Sequence, residues 1–235
     1  MMKNILLSIA FLLSALSASA HAVWIETSLI ATKNKPQEVR VYLGEFADNE
    51  RDQVEKWFSN MKDVQLFVIA PDGDRQQITL KANGNHYLGT FTPKMDGNYT
   101  LSVTHAVAEV YSEVKIIYYA TATTIAGKPS ASGLQAASAL AIAPATESPE
   151  KGQKVGLKVS NEQQPLDAAK VEISSPAGWV RTLHSDKAGE TSFTPLESGR
   201  YLLEAVRTEK TPGTHNGKSY KSVTHLVTHC VVVKP

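Results

Sequence analysis

Seven histidines carry the clearest capacity for chemistry in this chain: His21, His86, His105, His184, His215, His225 and His229. His21 lies in the stretch SASAHAVWIET, directly after the small-x-small triplet Ala18-Ser19-Ala20. Cleavage after Ala20 would free its α-amino group, so one residue would offer two nitrogen ligands, the amine and the imidazole. That pair suits a late first-row divalent ion. His225 and His229, in KSVTHLVTHCVVV, share one strand face but stand about 13 Å apart. Only one of them can therefore join His21 around a single ion. His105 continues the Tyr99, Leu101, Val103 face past the end of a strand. The expected metal ligands are His21 and His225, with His105 as a further one. Imidazoles hydrogen-bonded at sheet edges are the alternative for His105 and His229. His184 and His215 fall in turn-rich segments that predict solvated side chains, and His86 follows a turn with no specific role.

Other chemistries find no support. The chain has no Gly-x-Ser-x-Gly elbow, dinucleotide-binding glycine motif, P-loop or His-Glu-x-x-His. Asp72, Asp74 and Asp96 read as turn residues rather than calcium ligands. No catalytic constellation emerges, and the expectation is a protein that is not an enzyme.

The elements around His21 set its compartment. Lys3, the apolar run Ile5–Leu16 and the Ala18–Ala20 triplet read as a secretory signal over residues 1–20. Ala20-His21-Ala22 also satisfies the cleavage rule, and that cut would start the mature chain at Val23. The apolar run is too short to span a bilayer, so the expectation is an exported, periplasmic protein that does not cross the membrane. Removing Lys3 from 24 basic residues leaves 23 against 23 acids, a balance that argues against nucleic acid as partner. The single cysteine, Cys230, has no internal partner for a disulfide.

An internal echo predicts the architecture. TFTPKMDGNYTLSV (90–103) returns as SFTPLESGRYLLEA (192–205), with six of eleven positions from Phe91 to Leu101 identical at an offset of 102 residues. A strand ending at proline, a glycine turn and a Gly-x-Tyr entry into an alternating strand suit the tyrosine corner of immunoglobulin-like sandwiches. The expected fold is all-β, with two tandem immunoglobulin-like β-sandwich domains at 21–122 and 151–235. Residues 123–150, rich in Ala, Ser, Thr and Pro, read as a linker with one strand near Leu140–Ala143. In FADNERDQVEKWFSNM (46–61), Val54, Trp57 and Phe58 recur at helical spacing, which predicts a short amphipathic helix or lid in the first domain.

The order of short motifs HAVWIET, VRVYLGE (39–45), IIYYATA (116–122) and SVTHLVT (222–228) resembles a group of exported bacterial proteins with an uncharacterised domain. That group is often described as the periplasmic component of a cobalt or nickel transport system. The resemblance implies that His21 is its post-signal histidine and His225 its late-strand histidine. Trp24 and Glu45 match motif positions, while Thr27 stands where proline is usual and Thr121 where lysine is common. The function expected is therefore capture of Ni²⁺, Co²⁺ or Cu²⁺ in the periplasm and delivery to an uptake system, with a membrane metal importer as partner. Two alternatives stay open: an exported tandem immunoglobulin-like binding module without metal, and a copper redox enzyme using an N-terminal histidine brace.

Overall fold

The computed structural model describes residues 21–130 and 138–235. The signal expected at 1–20 lies outside the described residues. In the N-terminal half the main strands are β1 (Ala22–Thr27), β2 (Gln37–Glu45), β3 (Leu66–Ile69), β4 (Arg75–Ile78), β5 (Lys81–Asn83), β6 (His86–Phe91), β7 (Gly97–Ala106) and β8 (Val114–Ala126). The C-terminal half adds β9 (Leu140–Pro144), β10 (Val155–Asn161), β11 (Lys170–Ser174), β12 (Val180–His184), β13 (Glu190–Phe193), β14 (Gly199–Glu209) and β15 (Ser222–Val233). The fold is an all-β sandwich of immunoglobulin-like character, as the alternating strands and turn signals predict.

One long sheet runs through both halves in the order β12-β11-β14-β15-β8-β7-β3-β4. Its joint is the parallel pair β8–β15, registered from Val114↔Ser222 to Ala122↔Cys230. The sequence explains why these two strands take the middle. VKIIYYATATTIA and SVTHLVTHCVVV are long runs of β-branched and aromatic residues, buried on both faces along much of their length. A strand covered on both sides needs such a run, where a half-exposed strand needs strict alternation.

Each face of the joint carries its own cover. The sheet β1-β2-β6-β5 lies over one face, in a core that includes Leu226 and Cys230 of β15. The sheet of β9, β10 and β13 lies over the opposite face, in a second core that includes Val227 and Val231. Adjacent residues of β15 thus belong to different cores, as the two-residue period of a strand requires.

The echo is present in three dimensions. Tyr99 Oη accepts from the Lys94 and Met95 amides and donates to Met95 O, and Tyr201 Oη accepts from the Glu197 amide and donates to Glu197 O. Phe91 packs on Tyr99 with ring centroids 5.6 Å apart, and Phe193 on Tyr201 at 5.8 Å. The glycines that open the two strands, Gly97 (φ 135°) and Gly199 (φ 129°), each face a proline where a Cβ would sit, Pro71 and Pro176. The corners differ only in the second amide, that of Lys94, which donates to Tyr99.

Two local readings need revision. The helix or lid expected over 46–61 is instead two single 3₁₀ turns, Val54–Lys56 and Met61–Asp63. Trp57 between them is extended (φ −58°, ψ 128°) and Ser59 is left-handed (φ 54°), so no α-helix can propagate. Val54 and Trp57 are still buried and Phe58 packs partly buried against the same core, which accounts for the apolar spacing. The stretch read as a linker contributes strand at both ends. Thr123–Ala126 pair with β7, and β9 pairs with β10 and buries Leu140 and Ile142.

Candidate metal centre

The parity of β1 and β2 decides where His21 points. Val23, Ile25, Val39, Val41 and Leu43 are all fully buried. These odd-numbered residues form the inner face of the cover sheet, toward the central sheet. Val23 pairs with Leu43 and Ala22 with Gly44, so His21 and Glu45 are the next two inward positions, where the sandwich opens. Thr228 Oγ1 donates to Val23 O at 2.6 Å and seats β1 over β15. At the far end of β1 the Arg200 guanidinium donates to Thr27 O at 3.2 Å and pairs with Glu26. Two side chains of the C-terminal half therefore clamp the strand that begins at His21.

His21 has a carboxylate at each ring nitrogen. Nδ1 lies 3.5 Å from Glu45 Oε1, and Nε2 lies 3.2 Å from Asp52 Oδ2. Burial, reinforced by Asp48, Glu50 and Asp52, pushes the Glu45 carboxyl above its usual range, and His21 opposes that rise. Tyr118 on β8 and Glu204 on β14 lie on the side of the central sheet that bears Leu226 and Thr228. Burial first, then the Glu204, Tyr111 and Glu45 charges, pushes the Tyr118 hydroxyl up to about 12. Burial, then Glu172 and Glu45, pushes the Glu204 carboxyl up to about 7. Among the described residues, no group of three or more His, Cys, Asp and Glu side chains is arranged to hold a metal ion. His21 Nδ1 and Glu45 make two donors. An α-amine freed by cleavage after Ala20 would be a third, on the same residue.

The other expected ligands lie elsewhere. His225 is odd-numbered like Val227 and Val231, so it faces the second core, on the side of the sheet away from His21. It stacks on Tyr119 (centroids 5.8 Å, interplanar 6°) with Nδ1 3.0 Å from Tyr119 Oη, and burial lowers its pKa. β15 does approach β1 through Thr228 and Val23, but one strand cannot turn His225 and Thr228 to the same side. His105 is buried on the inner face of β7 with Nε2 unpaired. Burial lowers its pKa, and the one charge acting on it is that of Asp63. The structure therefore brings neither His225 nor His105 to His21. His215, expected in solvent, instead places Nε2 3.0 Å from Val107 O.

Sequence reasoning left His229, Trp24 and Glu45 without a role. His229 is fully buried, with Nδ1 2.8 Å from Thr121 Oγ1 and Nε2 3.0 Å from Glu147 Oε2. This chain ties the segment after β9 to the joint strands. Trp24 is fully buried too: it stacks on Tyr42 at 5.3 Å, its Nε1 donates to Glu26, and the Arg51 guanidinium lies 5.0 Å over its ring. The motif tryptophan thus anchors the strand that carries His21. Arg51 and Arg200, with Glu26 between them, also line a cleft of about 450 Å³ between the two halves. Tyr118 lies in the motif IIYYATA and Glu204 in the echo SFTPLESGRYLLEA, but only the strand register puts them on the same side of the central sheet.

Among the described residues no helix is long and apolar enough to cross a membrane. No curated protein matches the chain. Among solved structures it is similar to Salmonella alpha-2-macroglobulin reacted with methylamine, at 11% identity and a TM-score of 0.29. That similarity covers 92% of this chain and 15% of the other. A family model described as "Domain of unknown function (DUF4198)" matches residues 18–209, and the chain belongs to that family.

Proposed function

We propose that this protein is an exported binder of a divalent transition metal, Ni²⁺, Co²⁺ or Cu²⁺, held at the mouth of the N-terminal sandwich by His21 and Glu45. The observation that carries the reading is His21 Nδ1 at 3.5 Å from Glu45 Oε1, on inward-facing neighbours of paired strands. Nδ1 is the ring nitrogen nearer the backbone. It can chelate together with the residue's own α-amine once Ala20 is removed, and Glu45 supplies a negative oxygen ligand beside it. Asp52 at Nε2 holds the ring in orientation, the usual task of a carboxylate behind a ligating histidine. The role in this reading is carriage rather than catalysis. Delivery to a membrane importer follows from the same reading, since an open site at the sandwich mouth permits exchange.

The test is N-terminal sequencing of the exported protein followed by calorimetric titration with Ni²⁺ and Cu²⁺. The reading expects a mature chain beginning at His21, one site per chain, and loss of at least tenfold in affinity in His21→Ala and Glu45→Gln. A mature chain beginning at Val23, or unchanged affinity in His21→Ala, defeats it. A second reading, a binding module without metal, is favoured by the arginine-lined cleft between the halves. It expects wild-type protein to take up no metal.

A further inference from the structure

We infer that the cleft between the two halves is a binding site for a carboxylate ligand, held between the guanidiniums of Arg51 and Arg200. This site goes beyond the metal reading of His21 and does not rest on it. Glu26, which lines the cleft, alternates along β1 with the buried, inward-facing Val23 and Ile25. The cleft therefore opens on the face of β1 turned away from His21 and Glu45.

Both halves build the walls. From the first half come Glu26 and Arg51, the latter on the short strand Glu50–Arg51 that pairs with Gly44 and Glu45. From the second come Arg200 at the start of β14 and the turn after β11, with Pro176 and Gly178. Gly178 is left-handed (φ 87°), and a Cβ there would stand 2.8 Å from Ala47 O, so the halves meet closely at that edge. The cleft holds about 450 Å³, within the range of small-molecule sites.

The two guanidiniums share one carboxylate. Trp24 Nε1 donates to Glu26 Oε1 at 2.9 Å and fixes that carboxylate between them. Arg51 is 18% exposed and lies over the rings of Trp24 at 5.0 Å and Tyr42 at 5.4 Å. Its Nη2 stands 3.6 Å from Glu26 Oε1, beyond hydrogen-bond reach. Its Nη1 is buried and has no hydrogen-bond partner among the described residues. Arg200 directs Nη1 and Nη2 to Thr27 O, and its Nε lies 3.5 Å from Glu26 Oε2. With five N–H donors on each fork, both arginines keep donors to spare. Buried donors without acceptors cost free energy. A ligand carboxylate would balance the second positive charge and accept charge-assisted bonds in the forked geometry that guanidinium favours. Asp48 stands exposed at the rim, which disfavours a dianion such as phosphate. Phe46, edge-on to Trp24 at 5.7 Å, and Pro176 offer apolar wall to the rest of the ligand. The class that fits is a monocarboxylate with an apolar body.

The experiment titrates hexanoate into the exported protein, freed of metal, and into its Arg51→Met and Arg200→Lys variants. Calorimetry reads affinity, thermal melting reports folding, and the NMR signal of the Trp24 indole N–H reports the place of binding. Wild type is expected to bind one hexanoate with Kd below about 1 mM, to ignore hexanol, and to shift the Trp24 signal. Arg51→Met is expected to weaken binding at least tenfold. Arg200→Lys keeps the charge but loses the fork, and is expected to weaken it at least fivefold. Acetyl-Ala-Ala-Phe, with a free or an amidated C-terminus, separates the two sources of such a group. A free acid bound more tightly than hexanoate assigns a peptide terminus, and a weaker one assigns a small organic acid; both support the inference. No hexanoate uptake by wild type, equal binding of hexanol, of the amide or of inorganic phosphate, or affinity within twofold of wild type in a folded Arg200→Lys overturns it. If Arg51→Met does not fold, Arg200→Lys decides. Because the titration contains no metal, its failure leaves the His21 reading standing, and failure of nickel uptake leaves the cleft standing.

Discussion

Thr228 Oγ1 donates to the Val23 carbonyl at 2.6 Å, and this bond ties the N-terminal strand to the strand that joins the two halves. Both partners are buried, with Thr228 at 2% exposure and Val23 at 0%. Thr228→Val keeps the shape and leaves the carbonyl without its donor. The expected cost is about 1–2 kcal/mol, read by denaturant titration, together with a lowered melting temperature. An unchanged midpoint would mean that β1 is seated by apolar packing alone.

Glu204 predicts an unusual pH profile. Burial raises its folded pKa from 4.5 to about 7, so the folded chain holds a proton that the unfolded chain has released. Below about pH 4.5 both states are protonated and the contribution is fully present. It is lost as pH rises through 7, by up to roughly 3 kcal/mol. Metal-free wild type should therefore lose stability from pH 5 to 8 relative to Glu204→Gln. Parallel melting curves for the two proteins over that range would contradict the assignment.

The twin corners predict twin penalties. Tyr99→Phe and Tyr201→Phe each remove a hydroxyl that both accepts from and donates to the backbone. Each should cost about 1–2 kcal/mol. Because they belong to separate cores, the double variant should show additive losses within about 0.5 kcal/mol. Strong coupling between them would mean that the halves do not unfold independently at these corners.

Cys230 is 5% exposed, and burial pushes its thiol up to about 12. Native protein should react with a thiol reagent only as fast as it unfolds, because the thiolate is scarce and enclosed. Labelling within seconds under native conditions would contradict this.

How far the sequence was legible follows from the range of each signal. The Tyr99 and Tyr201 corners could be read because their partners lie four residues upstream, within the repeated stretch. The approach of β1 to the last strand entered only as the condition for His21 and His225 to share a site. Which residue stands beside His21 was not legible. Alternation places His225 with Val227 and Thr228 on the opposite side, but nothing in KSVTHLVTHCVVV says which face β1 covers. Glu204 and Tyr118 stand in the quoted stretches SFTPLESGRYLLEA and IIYYATA, but only the pairing of strands far apart in sequence puts them on one side of the sheet. The turns at 46–61 were misread because Val54, Trp57 and Phe58, all packed in the same core, mimic a helical period, while Ser59 breaks the path.

The central claim is that His21 is the first residue of the mature protein and binds metal through its own amine and ring. The most direct measurement is native intact-mass spectrometry of the exported protein with one equivalent of Ni²⁺, for wild type and His21→Ala. The account predicts a wild-type mass that begins at His21 and gains one nickel, and a variant that gains none. A wild-type mass beginning at Val23, or equal nickel uptake by the two proteins, would contradict it.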